Sequence, residues 1–319
     1  MMETLVAAVV VTYNRKELLG KCLSTLLAQS RKVDQIFVVD NASTDGTQEY
    51  LRSQGYLNDP TIQHVRLSHN GGGAGGFYAG MRQAFEAGFD WLWLMDDDGF
   101  PAAACLENQL KAQDVLDIIG APVVQIDHPD QLTWTLIQYD QQGYFSPRQR
   151  INSLEQLADH AQDNIYFGYG IFFNAILIHR SVIERIGLVN PQFVIRGDEF
   201  EYFLRSRQAG CKLGTQIQAR YYHPLQPFQA NEWKFFYTFR NLFYNYTQYA
   251  SVTYPQLILW VYLSYNFFKY LSKSPSFNWR YLAHVLNALR LATQGKLLPY
   301  AYGPGPRPLP VTASHTAEP

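Results

Sequence analysis

The feature that most limits what this chain can fold into is an alternation of buried strands and helices over its first hundred residues. Four stretches have the length and composition of strands, and the first of them is a continuous β-branched apolar run of the kind that is buried on both faces. They cover residues 5–12, 35–39, 62–67 and 90–95. Helical patterns separate the runs, the last of them over 77–87, and this is the spacing of βαβ units. The sequence therefore predicts an α/β fold around a mostly parallel sheet.

Polar and acidic residues follow directly after each predicted strand. They occupy positions 12–15, 40–45, 69–76 and 96–98. The carboxyl ends of parallel strands meet at one edge of an open sheet, and ligands bind at that edge. We therefore expect four separate segments to line one crevice of nucleotide size.

Composition narrows the class of protein and its compartment. The 319 residues have a net charge of -1, which argues against binding of duplex nucleic acid. The three cysteines lie far apart in the sequence, which indicates a reducing, cytoplasmic compartment. The first apolar run lacks a basic region before it and a cleavage site after it, so we interpret it as a strand and not as a signal peptide.

The glycine-rich stretch HNGGGAGG contains a G-x-G-x-x-G pattern at Gly71, Gly73 and Gly76, and Asp96 follows about 20 positions later. A dinucleotide-dependent oxidoreductase is therefore one hypothesis. The stretch follows the third strand instead of the first, however, and three carboxylates stand where ribose recognition needs one. We favour other phosphate chemistry, and the structural alternative is a turn that lets helix and sheet pack closely.

The triplet Asp96-Asp97-Asp98 ends the fourth predicted strand. Crowded carboxylates repel one another unless a cation or several hydrogen-bond donors compensate. Oxygen ligands favour Mg²⁺ or Mn²⁺, and such an ion bridges a diphosphate. The alternative is a solvated acidic turn. The apolar WLWLM before the triplet fixes it on a buried strand and favours the metal site.

These stretches carry a resemblance to a known family. In order, VVVTYNR, VVDNASTDGT, HNGGGAGGF and WLWLMDDDGFP resemble the nucleotide-sugar half of family-two glycosyltransferases with the GT-A fold. The resemblance implies a GT-A domain over 1–230, with a nucleotide-sugar half at 1–122 and an acceptor half at 123–230. Within the acceptor half, short alternating runs predict an antiparallel part or a variable loop at 123–152, and a single strand is expected at 214–222.

Two further regions follow the predicted GT-A domain. Residues 231–302 form an aromatic-rich stretch with a helical pattern, which we expect to be a helical extension. Residues 303–319 are rich in proline and polar side chains, so they are expected to be disordered.

The resemblance also implies the residues that hold donor and metal. The Asp-x-Asp motif falls on Asp96 and Asp98, and His223 resembles the family's third metal ligand. The ion would be Mn²⁺ or Mg²⁺, and an imidazole ligand favours Mn²⁺ modestly. Residues implied to bind the nucleotide-sugar donor are Thr12, Asn14, Arg15, Asp40, Asn70, Gly72, Asp96 and Asp97.

The segment IGLVNPQFVIRGDEFEYFLRSRQAG resembles the family's acceptor side, where the second acid of a pair is the catalytic base. That position is Glu199, although many members have Asp there, and Asp198 is the alternative. Glu201 is expected to be structural or to bind the acceptor. Residues placed beside phosphate or acceptor are Gly170, Lys234, Arg240 and Asn241, and the alternative for Arg240 is packing in the core.

The combination of GGAGGF, the Asp triplet, the acidic pair and the His most resembles bacterial galactofuranosyltransferases. This implies UDP-galactofuranose as donor and inversion at the anomeric carbon, in synthesis of a surface polysaccharide such as O-antigen. Rhamnosyltransferases, which would use dTDP-rhamnose, have a similar outline. A binding module without turnover and a nucleotidyltransferase are the alternatives from other classes.

The run from Tyr254 to Leu271 is apolar and aromatic, but Gln256, Asn266 and Lys269 interrupt it. It is a poor candidate for a transmembrane span. We expect a peripheral contact with the cytoplasmic face of the inner membrane, where Tyr and Trp are favoured. A lipid-linked acceptor would give that contact a purpose. The alternatives are a buried helix and an oligomer interface.

Overall fold

The computed structural model describes residues 4–140, 143–168, 170–225, 232–272, 279–301 and 305–310. The strands are β1 Val6–Thr12, β2 Gln35–Asp40, β3 Ile62–Arg66, β4 Trp91–Asp96, β5 Phe100–Pro101, β6 Ile118–Gly120, β7 Val123–Gln125, β8 Gln131–Tyr139, β9 Phe145–Ser153, β10 Ile165–Tyr166, β11 Asn174–His179, β12 Leu213–Gln216 and β13 Tyr221–His223. The helices are α1 Lys16–Leu27, α2 Thr47–Ser53, α3 Gly72–Glu86, α4 Cys105–Leu110, α5 Leu154–Asp159, α6 Arg180–Ile186, α7 Asp198–Gln208, α8 Glu232–Gln248, α9 Gln256–Ser272 and α10 Trp279–Thr293.

The main sheet has the strand order β10-β12-β6-β11-β4-β1-β2-β3. Strands β4, β1, β2 and β3 are parallel to their neighbours in that run, which confirms the predicted parallel sheet. Strand β11 runs antiparallel between β4 and β6. The polar residues after β1, β2 and β4 therefore lie at one edge of the sheet, as the sequence predicts.

Strand β1 is wholly buried because both faces of the sheet are covered. Val9 lies in an apolar cluster with Met81 of α3, while its neighbour Val10 lies in a second cluster with Leu23 of α1. Successive side chains of a strand point to opposite faces, so an apolar run without alternation suits a strand between two cores. Burying one such valine or leucine stabilises the fold by about 1.5–3 kcal/mol.

A second sheet has the order β5-β13-β7-β8-β9, and its β7-β8-β9 part is antiparallel. This confirms the antiparallel alternative for 123–152. The single strand expected at 214–222 is wrong, because β12 pairs in the main sheet while β13 pairs with β5 and β7 in the second. Both pieces contain buried residues, so burial alone does not reveal that they belong to different sheets.

The C-terminal helices form the predicted helical extension. Phe236 and Phe239 of α8 pack with Val285 and Leu289 of α10 in a separate apolar cluster. No helix in the described parts of the chain has both the length and the apolar character needed to cross a membrane.

The expectation of a disordered tail does not hold for residues 305–310, because they pack on the rest of the protein. Leu309 contacts the main apolar cluster, and the Arg307 amide donates to the carbonyl oxygen of Asn70 at 3.0 Å. Residues 302–304 and 311–319 lie outside the described residues.

Helix α3 packs so closely on the sheet that a methyl group does not fit between them. A Cβ on Gly80 would lie 2.3 Å from Val9 Cγ1 and 2.9 Å from Val39 Cγ2. Gly80→Ala should therefore lower the free energy of unfolding by about 1–3 kcal/mol, as overpacking does. Denaturant titration measures the change. Gly73→Ala in the same helix is the control, since nothing lies within 4 Å of its Cβ position; an equal loss in both variants would contradict the packing explanation.

Candidate active site

The Asp triplet lies at the carboxyl end of β4, and groups from β1 and the following turn compensate its charge. The Thr12 hydroxyl donates to Asp97 at 2.6 Å. The Arg15 guanidinium donates to Asp97 at 3.1 Å and to Asp98 at 2.6 Å. The residues predicted from the first and fourth strands thus meet, and Thr12 and Arg15 bind the carboxylates of this site directly.

The three carboxyl groups are not equivalent. Burial raises the pKa of Asp97 to about 6, although Arg15 and Thr12 act in the opposite direction. Burial and repulsion by its two neighbours raise the pKa of Asp96 well above its ordinary value. Burial would also raise the pKa of Asp98, but the hydrogen bond and charge of His223 outweigh it and hold that pKa below the ordinary value. Asp98 is therefore the member that most readily stays ionised.

His223 reaches the triplet from the second sheet. Its Nε2 lies 3.2 Å from Asp98 Oδ1, and its Nδ1 lies 2.8 Å from the carbonyl oxygen of Pro224. A carbonyl only accepts hydrogen bonds, so Nδ1 carries a proton and Nε2 is the ring nitrogen that faces the Asp98 carboxylate. The ring of Trp134 packs on the imidazole with centroids 4.6 Å apart.

These side chains provide few metal ligands by themselves. The described residues contain no group of three or more His, Cys, Asp and Glu side chains arranged to hold an ion. Asp98 and His223 nevertheless offer one oxygen and one nitrogen at adjacent positions, beside the crowded carboxyl of Asp96. This donor set fits Mn²⁺ or Mg²⁺ when further oxygens come from a bound diphosphate.

The loop after β2 joins the same edge. Asp40 is buried, and its Oδ1 accepts from the Ser43 amide at 2.7 Å. Its Oδ2 lies 3.6 Å from His64 Nε2 and makes no hydrogen bond within the described part of the chain. Burial would raise the pKa of Asp40, but His64 and Ser43 together lower it. Asn14, with a left-handed φ of 53°, accepts from the Thr44 amide at 2.7 Å and ties this loop to the end of β1.

The glycine-rich loop is the first turn of α3, so the helix begins at Gly72 and not at 77. Gly72 has φ of +73°, and a Cβ there would lie 2.0 Å from the carbonyl oxygen of Val194. Its amide donates to the Asn70 side chain at 2.8 Å. The amide of Ala74 donates to Val194 at 3.2 Å. The positive end of the helix dipole therefore faces the cleft, a position that only glycine allows the backbone to reach.

The acidic pair begins α7. Asp198 is buried, and burial together with Glu199 raises the pKa of Asp198 well above its ordinary value. Glu199 is half-buried and accepts from the Gly197 amide at 2.9 Å. The charge of Glu199 also contributes to the raised pKa of Asp96, and that of Asp96 to the raised pKa of Asp198, so the acidic pair lies near the triplet.

A cavity of about 320 Å³ opens beside Glu199. Helices α7, α8 and α9 line it, and its side chains include Arg196, Thr238, Tyr246 and Tyr262. Sequence reasoning missed these residues. No local pattern marks them, because they come from the loop before α7, from α8 and from α9, which meet only in the folded chain.

Several residues expected beside phosphate or acceptor are structural. Glu201 pairs with Arg205 at 2.9 Å and accepts from the Tyr249 hydroxyl at 2.5 Å. Arg240 is buried and donates to the carbonyl oxygens of Leu298 and Gln192, each at 2.7 Å.

Asn241, the neighbour of Arg240, is buried as well and donates to the Arg196 carbonyl at 2.6 Å. Arg240 and Asn241 thus face the backbone of 192–196, which corrects the expectation that they face the ligands. The core-packing alternative for Arg240 is the one that the structure shows.

Lys234 differs from Arg240, although both lie on α8. Burial, then the charges of Arg196 and Arg15, lower the pKa of Lys234. The charges of Arg196 and Arg15 therefore act on Lys234. Gly170 is buried beside Thr215 of β12, where a Cβ would lie 3.4 Å from the Thr215 hydroxyl oxygen.

Comparison with known proteins identifies the family of the chain and shows which solved structures share its fold. The sequence profile described as "Glycosyl transferase family 2" matches residues 7–186. The galactofuranosyltransferase GlfT1 of Mycolicibacterium smegmatis is 32% identical over 222 residues, which are 69% of this chain and 70% of the relative.

Two solved structures share the fold at low sequence identity. Staphylococcus aureus TarS 1-349 superposes with a TM-score of 0.59 at 13% identity, over 91% of this chain and 81% of that one. A crystal structure of GalNAc-T7 with UDP, GalNAc and Mn²⁺ gives a TM-score of 0.60 at 16% identity, over 77% of this chain and 50% of that one.

Proposed function

Because the chain belongs to glycosyl transferase family 2, we propose that it is an inverting, metal-dependent galactofuranosyltransferase. It moves galactofuranose from UDP-galactofuranose to a hydroxyl of a glycan or lipid-linked acceptor in bacterial surface polysaccharide synthesis. Two groups of acidic residues carry the proposal: the triplet with its Asp98–His223 pair at 3.2 Å, and the acidic pair that opens α7, whose charges act on the triplet.

The sugar is argued from the relatives. GlfT1 of M. smegmatis is named a galactofuranosyltransferase and matches more than two thirds of this chain. A mannosyltransferase of Micrococcus luteus matches only 36% of it. Galactofuranose is thus the better choice, and we place O-antigen or a similar surface glycan as the product.

Positively charged side chains near the proposed site can bind a diphosphate. Lys234, Arg196 and Arg15 lie close enough to influence one another, so an anion among them would relieve their repulsion. Asp98 and His223 would hold a divalent ion with Asp96 beside them, and Mn²⁺ in the GalNAc-T7 structure makes manganese a reasonable choice. When bound, such an ion neutralises charge on the departing diphosphate.

Glu199 is the proposed base. Its neighbour Asp198 is buried, and burial together with Glu199 raises the pKa of Asp198 well above its ordinary value, whereas Glu199 lines the cavity. The Glu199 carboxylate takes the proton of the acceptor hydroxyl. The hydroxyl oxygen then bonds to the anomeric carbon from the face opposite UDP, whose bond to that carbon breaks, and the configuration inverts.

The acceptor occupies the cavity beside Glu199. Tyr246 and Tyr262 offer aromatic faces, while Arg196, Thr238 and Asn245 offer polar groups, a combination suited to a sugar. The cavity wall includes α9, so an acceptor bound there also lies next to the outer surface of the helical extension.

The outer surface of α9 has the composition expected of a contact with an anionic membrane. On α9 the side chains of Leu257, Trp260, Val261, Tyr265 and Phe268 are each more than half exposed. From Trp233 to Ala317 the sequence has no Asp or Glu, while Lys and Arg occur eight times. Exposed aromatic groups together with a positive charge favour the headgroup region of anionic lipid. We therefore propose a peripheral contact that brings a lipid-linked acceptor to the cavity.

Donor choice is tested by UDP or dTDP release from a panel of nucleotide sugars with Mn²⁺. The panel contains UDP-galactofuranose, UDP-galactopyranose, UDP-glucose and dTDP-rhamnose. We expect release from UDP-galactofuranose alone, lost after EDTA treatment and in Asp98→Ala. Release from dTDP-rhamnose would replace the sugar but keep the class, and metal-independent binding of NAD or FAD in place of any release would overturn the proposal.

The base is tested by two isosteric changes. Glu199→Gln should lower kcat by roughly 10²–10⁴ with donor affinity retained, because the amide keeps the shape but cannot take the proton. Asp198→Asn is the matched control and should lower kcat far less, since Asp198 is buried and does not line the cavity. Steady-state kinetics and UDP binding by calorimetry distinguish the two. The reverse order of effects would assign the base to Asp198.

Membrane contact is tested by flotation with vesicles of phosphatidylcholine, with and without phosphatidylglycerol. The protein should float with anionic vesicles, and Val261→Glu should weaken binding at least tenfold, a change of about 1.4 kcal/mol. Val115→Glu is the control because Val115 is also exposed but lies outside the extension. Equal flotation of both variants, or none of the wild type, would refute the contact.

A further inference from the structure

The C-terminal segment 305–310, here called the strap, lies across the start of α3. The amide of Arg307 donates to the Asn70 carbonyl at 3.0 Å. A Cβ on Gly71 would lie 2.9 Å from Leu309 Cγ, and one on Gly75 would lie 3.3 Å from the same atom. Leu309 therefore occupies a notch that exists because both positions are glycine.

The other end of the strap rests on the helical extension. A Cβ on Gly305 would lie 3.3 Å from Trp233 Cγ, next to Lys234 on α8. Leu309 is partly buried against the main apolar cluster. The strap thus connects α8 to the glycine-rich loop, two elements that are far apart in the sequence.

The sequence of the strap favours a single extended backbone conformation. Prolines alternate with other residues in GPRPLP, so only Gly305, Arg307 and Leu309 have amide hydrogens. Each proline fixes φ and reduces the freedom that is lost when the segment becomes ordered. The Arg307 amide supplies the bond to Asn70, and the neighbouring prolines favour the extended form that presents it.

The glycine-rich loop beneath the strap needs contacts of this kind to keep one conformation. Five of the six residues from Gly71 to Gly76 are glycine, a composition with many accessible backbone conformations. Asn70 links the two parts, because its carbonyl accepts from Arg307 while its side chain accepts from the Gly72 amide. A displaced strap therefore frees the residue that sets the start of α3.

We propose that the strap holds the glycine-rich loop in its donor-binding conformation, with Leu309 as a positioning residue. The role rests on the proposed function, since the loop must form part of the donor site. Leu309 acts through the loop and leaves Glu199 and the triplet in place. Loss of its side chain should weaken donor binding without slowing the saturated reaction.

The first test compares Leu309→Ala with Leu309→Met and with Leu5→Ala. Leu5 is a partly exposed leucine before β1, at the end of the sheet opposite to the cleft. Leu309→Ala should raise the Kd for UDP with Mn²⁺ and the donor KM about tenfold, a shift of about 1.4 kcal/mol. Its kcat and melting temperature should stay near the wild-type values. Leu309→Met should restore binding, and Leu5→Ala should not change it.

A second variant ends the chain after Ala301. It should show the same loss of UDP affinity, and a synthetic peptide of residues 303–312 should restore part of it. Unchanged UDP affinity in both Leu309→Ala and the shortened chain would overturn the strap's role while leaving the proposed function intact. A parallel fall of kcat and melting temperature in Leu309→Ala would reduce Leu309 to a packing residue. Failure of the wild type to bind UDP would overturn the proposed function and the strap's role together.

Discussion

The crowding of three carboxyl groups at the end of β4 is the constraint on which the rest of the structure depends. Such a triplet in a buried position is tolerated only with compensation from several directions. Thr12 and Arg15 provide it from the end of β1, and His223 provides it from β13. Since β13 belongs to the second sheet, the two sheets must meet at this point. The break between β12 and β13 is therefore part of how the site is built.

The donor side also depends on residues that never face a ligand. Arg240 and Asn241 donate to backbone carbonyls of 192–196, and Val194 in that segment accepts from the amide of Ala74 at the start of α3. A buried arginine is costly unless its donors are satisfied. Here its hydrogen bonds fix a loop on which the first turn of α3 rests. The helical extension is consequently joined to the nucleotide-sugar half through its core.

Much of the donor side could be predicted from the sequence because its signals are local. A strand buried on both faces has a continuous apolar run, and its end is marked by the polar residues that follow, as at Asp40 and Asp96. The sequence patterns of the proposed acceptor side are less specific. Tyr262 reaches the cavity from a helix that is distant in sequence, and Arg240 has the same pattern whether it binds a phosphate or a carbonyl. Leu309 lies in a stretch whose composition resembles disorder, and only the notch at Gly71 and Gly75 gives it a place to pack.

The division of labour within the acidic pair follows from burial. Two adjacent carboxyl groups in a poorly solvated site repel each other, and burial together with Glu199 raises the pKa of Asp198 well above its ordinary value. Asp198 is almost wholly buried, while Glu199 lines the cavity and accepts a hydrogen bond from the Gly197 amide. Both differences support the proposal that Glu199, and not Asp198, meets the acceptor hydroxyl. The longer side chain at the second position reaches into the cavity, which suits an acceptor that binds beside the helical extension.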